Sequence, residues 1–309
     1  MNKRKLAILT ALIVLALCIV LGACAKKGQE ETKPTDAATV TDEPAVTEKP
    51  TEKPTEKPTE KPTAAPTAAP TEEPQNDKKY TIPYVTRGLY ALYEGKYNTE
   101  DGLDTESTVW KDLSGNGNDI VDLKLGENLK WTEDGLYISA QKIILPAEIA
   151  ELINGNAYTV EYTISDFEVT GSDYATFLNS DGNDNFALFY RIGTDELEFK
   201  CNNAVGQRPN MGNARELLSD GTVTIAVTFS SGDVTELYFN GEYVADRDTG
   251  SSTNMAGNFF IGHADSTRSY KAHVVSLRIY DRVLSEKELA ANHAAAGTVA
   301  PNPNYVPAD

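Results

Sequence analysis

Val223-Thr-Ile-Ala-Val-Thr-Phe229 places Val223, Ile225, Val227 and Phe229 on one side of an extended chain, with smaller residues between them. Side chains of a strand point alternately to its two faces, so this period is that of a β-strand. Strands predicted over 234–240 and 242–246 meet at Asn240-Gly241, a pair that tolerates two positive φ values and suits a type I′ hairpin turn. The same reading predicts strands over 135–140, 157–164, 174–179, 185–191, 196–201 and 258–263, with Asp181-Gly182 as a weaker turn signal. In the last strand, 274–280, Val275, Leu277 and Ile279 are expected to share one side. Two short helices interrupt the pattern. One is expected over 146–152 and one over 285–292, where Ser285 at the N-cap and Glu288 three residues on form a capping box. Leu284 and Leu289 would pin the second helix to the strands. Many short strands separated by turns predict an all-β fold, a two-sheet antiparallel jelly-roll sandwich with a short C-terminal helix.

The chain before this region has another composition. Lys3, Arg4 and Lys5 precede an uncharged apolar run from Leu6 to Leu21, too short for a membrane span of about 20 residues. A basic start and a short apolar run read as a secretory signal, assigned to residues 1–23. Leu21-Gly22-Ala23-Cys24 resembles the bacterial lipobox, which implies a thioether-linked lipid on Cys24 and cleavage after Ala23. Residues 24–79 form the expected lipidated N-terminus and linker. From Thr47 to Pro74 the tetrad Thr-x-x-Pro recurs seven times. Proline at every fourth position blocks helix and ladder hydrogen bonds, and too little apolar surface exists to offset the entropy of ordering. A semi-extended spacer is expected, in preference to the alternative of a stalk whose threonines carry O-linked sugar. Residues 80–309 are then the one folded domain.

The chain has net charge −18, and the 80–309 region holds 16 basic and 34 acidic residues. That sign opposes nucleic acid and direct binding to anionic lipid, and is compatible with divalent cations. Of three cysteines, Cys18 lies in the signal, Cys24 at the lipobox and Cys201 in a strand, so no disulfide forms within the processed chain. Cys201 reads as a small strand residue in preference to a nucleophile.

Gly88-Leu-Tyr-Ala-Leu-Tyr93, Val109-Trp-Lys-Asp-Leu-Ser-Gly-Asn-Gly-Asn-Asp119, Tyr238-Phe-Asn-Gly-Glu242, Phe260-Ile-Gly262 and Val275-Ser-Leu-Arg-Ile-Tyr-Asp-Arg-Val-Leu-Ser285 fall in the order seen in laminin-G-like, concanavalin A-like domains. The 80–309 region resembles that family across about 88–293. The resemblance implies two sheets face to face with variable rim loops, a fold that hosts lectins, adhesion modules and some glycosidases, so it does not name the function.

Asp112, Asn116, Asn118 and Asp119 are the candidate metal ligands, because calcium takes six to eight oxygens at flexible distances and the family often holds that ion. The same residues also suit a tight turn in which Asp112 accepts backbone amides. A second acidic stretch, Asp181-Gly-Asn-Asp-Asn185, lacks the sixth-position glycine and distal glutamate of an EF-hand loop and reads as a solvated hairpin. Tyr190 beside Arg191, with Asn202, Asn203 and Arg208 in a following loop, is the candidate sugar site, combining an aromatic platform with planar donors. Tyr174, Trp131 and Tyr270 are further aromatics. Catalysis finds little support: Glu196 and Glu198 alternate without a third acid, and no HExxH, P-loop, GxSxG or CxxC pattern occurs. The expectation is a non-enzymatic lipoprotein on the outer face of a bacterial cytoplasmic membrane, binding carbohydrate or an extracellular protein. A glycoside hydrolase and an adhesion protein without a small ligand are the alternatives.

Overall fold

A computed structural model of the chain describes residues 80–182, 185–201, 210–248 and 257–296. Their strands in order are β1 (Leu89–Glu94), β2 (Leu129–Thr132), β3 (Gly135–Ser139), β4 (Lys142–Ile144), β5 (Ala157–Val169), β6 (Tyr174–Ser180), β7 (Phe186–Arg191), β8 (Glu196–Cys201), β9 (Asn210–Gly212), β10 (Val223–Ser230), β11 (Val234–Phe239), β12 (Glu242–Asp248), β13 (Phe259–Gly262) and β14 (Tyr270–Tyr280). Three helices join them: α1 (Ala147–Ile153), α2 (Ala214–Leu218) and α3 (Glu286–Ala296). No described helix is long and apolar enough to cross a membrane.

The strands form two antiparallel sheets. One has the order β12-β11-β10-β5-β14-β3-β2, with β1 also on β14; the other runs β4-β13-β6-β7-β8-β9. The core between them is built as alternation dictates: Val223, Ile225, Val227 and Phe229 are fully buried with Tyr158, Val160, Tyr162 and Ile164 from β5. Asn240 at φ 52° and Gly241 at φ 81° make the β11–β12 turn, as their sequence requires.

Strand β14 departs from its simple alternation. It pairs with β5 throughout, while its other edge takes β3 at Lys271–Val274 and β1 at Ser276–Tyr280. The register shifts between Val274 and Ser276, where one partner gives way to the other. A bulge of one residue exchanges the faces beyond it. Val274, Leu277 and Ile279 therefore belong to the inter-sheet core and Val275 does not, which corrects the face expected for Val275. Gly95 and Gly135 close on the Val274 carbonyl where a Cβ would collide.

The outer face of the eight-stranded sheet is covered over β1, β10, β11 and the end of β14. Tyr84, Leu284, Leu289 and Ala296 bury Leu92, Ala226, Tyr238 and Tyr280 against it. The Glu288 carboxylate accepts from the Ser285 amide at 2.8 Å and the Glu288 amide donates to the Ser285 hydroxyl at 3.4 Å, the expected capping box at α3. Beneath this cover lies a buried polar cluster. Arg278 donates from Nε to Glu161 at 3.0 Å, from Nη1 to Ser276 at 2.6 Å and from Nη2 to Thr163 at 3.2 Å. Asn292 of α3 donates to Glu161 at 2.7 Å and to the Tyr280 hydroxyl at 2.9 Å. The Val85 amide donates to Asn292 at 2.9 Å, so the segment before β1, the sheet and α3 share one network.

Candidate functional site

With much of the eight-stranded sheet's outer face closed by α3 and the 80–88 segment, the outer face of the six-stranded sheet is the more open one. Cross-strand register places its side chains in rows. Tyr174 stands opposite Arg191, and Arg191 opposite Glu196; in the next row Thr176, Phe189, Glu198 and Asn210 are aligned. A third row holds Asn179, Ala187 and Lys200. A register shift between Thr176 and Leu178 turns both Phe177 and Leu178 into the core, returning Asn179 to the outer face.

From these rows Tyr174, Thr176, Asn179, Ala187, Phe189, Arg191 and Lys200 line a groove of about 340 Å³, together with Arg268. Its floor is apolar: Phe189 meets Tyr174 edge to face at 5.1 Å between ring centres, beside Ala187. Its sides are polar and cationic. The guanidinium groups of Arg191 and Arg268 lie 5.6 and 5.7 Å from the Tyr174 ring centre. Arg191 also bonds Glu198 from Nη2 at 3.1 Å, while its Nε is buried without an acceptor among the described residues. Arg268 is fixed by its backbone, because the Thr176 amide donates to its carbonyl at 3.0 Å.

Of the expected sugar-site residues, Arg191 lies in this groove and Tyr190 does not. Tyr190 is fully buried on the core side, its hydroxyl donating to Asp195 at 2.9 Å and accepting from Arg215 of α2 at 3.2 Å. Neighbours on a strand face opposite ways, so the two could not share a site. Asn202, Asn203 and Arg208 lie outside the described residues, as does the lipid-attachment residue Cys24. Trp131 and Tyr270 are core residues; among the further aromatics singled out in the sequence, Tyr174 alone lines the groove. Phe189 is hidden in Phe186-Ala-Leu-Phe-Tyr-Arg191, where both faces carry an aromatic and alternation gives no polarity.

The 112–119 loop is built around hydrogen-bond donors. Asp112 Oδ1 accepts from the amides of Leu92 and Ser114, both at 2.9 Å. Its Oδ2 accepts from the Asn118 amide at 3.0 Å and side chain at 3.2 Å. A carboxylate offers roughly four lone-pair sites, and these donors use them. Asn116 donates to the Leu89 and Tyr90 carbonyls at 3.1 and 3.0 Å. Asp119 accepts the Asp112 amide at 2.9 Å and holds Lys111 at 2.6 Å. The loop thus covers the outer edge of β1, and its four candidate ligands do not fit a calcium cage: amide hydrogens and a lysine sit where the cation's charge would be. Asp112→Ala should leave three backbone amides without that acceptor and cost about 2 kcal/mol. The loss should be equal in EDTA and in millimolar calcium; a wild-type melting temperature that rises with calcium would restore the metal.

The second acidic stretch serves as a tie. Asp181 holds Lys142 at 2.6 Å and accepts from Asn258 at 2.7 Å, bonds that keep its carboxyl below the usual range. Residues 183 and 184 lie outside the described set. At the other sheet's edge a more open depression contains Tyr137, Lys130 and His273, the last held by Asp166 at 3.0 Å; Glu127, Glu133 and Asp134 also line it.

Residues 139–290 match the family model Laminin_G_3, described as the concanavalin A-like lectin/glucanases superfamily. No curated protein matches the chain. Among solved structures, the chain is similar to Trypanosoma rangeli sialidase in complex with 2,3-difluoro-KDN, at 14% identity and TM-score 0.50, covering 75% of this chain and 36% of that one. It is also similar to the binding domain of botulinum neurotoxin DC in complex with SialylT, at 12% identity and TM-score 0.49, covering 69% and 52%. The same binding domain with rat synaptotagmin II aligns at 12% identity and TM-score 0.47, covering 68% and 52%. The chain spans about a third of the sialidase's length and half of the toxin domain's, and the likeness to the sialidase is one of fold alone.

Proposed function

We propose that this chain, whose residues 139–290 form a concanavalin A-like lectin domain of the laminin-G type, is a non-catalytic, surface-displayed binding protein whose ligand is carbohydrate. The groove on the six-stranded sheet carries this reading. It joins an aromatic floor, Tyr174 and Phe189, to planar or branched donors on Arg191, Asn179 and Arg268. Sugars present apolar C–H faces and dense hydroxyl edges, and that pairing of surfaces matches them. An exported, lipid-anchored chain would hold the domain outside the cell on the Thr-x-x-Pro spacer, with Cys24 as the anchor.

Glu196 and Glu198 both lie on the outer face of β8, the observation that favours a glycoside hydrolase as the second reading. Their bonding supports the non-catalytic one. Glu198 is engaged by Arg191 at 3.1 Å, and Glu196 accepts from Thr194 at 2.6 Å and Asn210 at 3.1 Å. A glycan array with the full-length chain in detergent tests the proposal. Retention that is lost in Tyr174→Ala, with no released reducing ends, is the expected result. Hydrolysis abolished by Glu198→Gln would replace binding with catalysis. For the anchor, Cys24→Ala should leave the membrane fraction or remain unprocessed; a variant processed after Ala23 and still membrane-bound would remove the lipid from the proposal.

A further inference from the structure

The groove's charge runs against that of the protein as a whole. Among the described residues its lining includes Arg191, Lys200 and Arg268 and no carboxylate; two acids border it on the same face, Glu198 bonded to Arg191 and Glu196 opposite Arg191 on β8. The chain as a whole has net charge −18. Three cations gathered over an apolar floor, on a surface otherwise dominated by acids, make a local positive field bounded by a negative one. Such a field favours an anion in the groove over one elsewhere on the surface. A neutral sugar gains hydrogen bonds here but nothing from the field.

The donors are also shaped for an oxyanion. Arg191 and Arg268 flank the same tyrosine ring, so their guanidinium planes border one volume. Guanidinium presents N–H groups in a fork that matches the two oxygens of a carboxylate. Arg191 gives one nitrogen to Glu198, and its buried Nε lacks an acceptor among the described residues. A buried donor left unpaired costs free energy that a suitable ligand oxygen, or the small shift of Arg191 accompanying its entry, would recover. Phe189 and Tyr174 meanwhile offer apolar surface to the sugar ring bearing the acid.

Resting on the assignment of this groove as the carbohydrate site, we propose that its ligand is an acidic saccharide, one carrying carboxylate groups on its sugar rings. Binding should weaken as salt rises, because the cations are near the surface and screened.

The test compares tetragalacturonate with its fully methyl-esterified form, which keeps the skeleton and removes the charge, alongside a panel of neutral oligosaccharides. Titrations use the full-length chain in detergent. The acid should bind at least about tenfold more tightly than its ester, since hydrogen bonds to a charged partner are roughly twice as strong as neutral ones. Lys200→Gln and Arg191→Met should each reduce acid binding by a larger factor than ester binding, narrowing the difference between the two. Because Arg191→Met removes a partner of Glu198, its melting curve is recorded, and Lys200→Gln provides the variant that does not disturb that pair. A heparin tetrasaccharide separates carboxylate from sulfate recognition: preference for it over tetragalacturonate overturns the carboxylate assignment. Equal binding of acid and ester, or binding of neutral sugars alone, overturns the acidic ligand but preserves the groove as a sugar site. Absence of binding to the whole panel overturns both.

Discussion

Replacing Arg278 with methionine should lower stability by about 3–5 kcal/mol, the cost of stranding a buried charge. Arg278 and Glu161 are both completely buried, with their nitrogen and oxygen 3.0 Å apart. Methionine fills much of the arginine's volume, so the loss reports on charge more than on packing. Glu161 would keep the Asn292 side chain at 2.7 Å as a donor, but would lose the only cation bonded to it among the described residues. Ser276 and Thr163 would each lose a partner, and the Tyr84 ring the guanidinium 4.3 Å from its centre. At roughly 2–4 °C per kcal/mol for a domain of this size, the melting temperature should fall by about 10 °C. Glu161→Leu added to Arg278→Met should recover part of that loss, since an apolar pair avoids the desolvation that an ion pair incurs. Thermal denaturation of the single and double variants checks this. A single variant within about 1 kcal/mol of wild type would mean the cluster is hydrated.

Glu94→Gln should stabilise the protein at pH 8 and be close to neutral at pH 4.5. Glu94 ends β1 and is fully buried. Burial pushes its carboxyl up to about 7, although the Tyr84 hydroxyl, donating at 2.6 Å, the Arg278 charge, Tyr80 and Lys96 all favour ionisation. The unfolded chain ionises near 4.5, so between that pH and 7 the native state binds a proton that the unfolded state releases. Stability from this group is therefore present at low pH and is lost as pH rises through that window, by about 3 kcal/mol in all. His293 acts in the opposite sense: burial, then the Arg278 charge, lower its pKa, so its contribution grows with pH up to its unfolded value. Subtracting the Glu94→Gln stability curve from that of wild type cancels His293 and isolates Glu94. Chemical denaturation at half-unit pH steps would show it. Equal destabilisation of the variant at pH 5 and pH 8 would show that the glutamine side chain is merely a poor fit in the cluster.

Much of the fold is legible in sequence because its causes are local. The β10 alternation, the Asn240-Gly241 turn and the Ser285–Glu288 box each depend on neighbours within a few residues, and each appears where expected. Strand β5 runs to Val169, beyond the expected 164, and β2, β4, β9 and α2 have no counterpart in the sequence reading. They are three to five residues long, and pattern over so short a stretch has little content. The groove is half legible. Arg191 stands out in the sequence for its planar donors and lies there, whereas Tyr190 stands out for an aromatic ring that sequence cannot orient.

Local pattern was enough for a two-sheet antiparallel sandwich and a capped C-terminal helix, since alternation and turn chemistry need no knowledge of the partner strand. Long-range packing chose which side of β7 meets the core, where β14 changes partner, and that Asp112 spends its oxygens on amides. It also gathered Arg191, Lys200 and Arg268 from distant strands and loops into one groove. One cause underlies each case. A strand with apolar residues on both faces has two permissible registers, and a carboxylate or a cation has many permissible partners. Only the second sheet, the covering segment and α3 remove all but one of them.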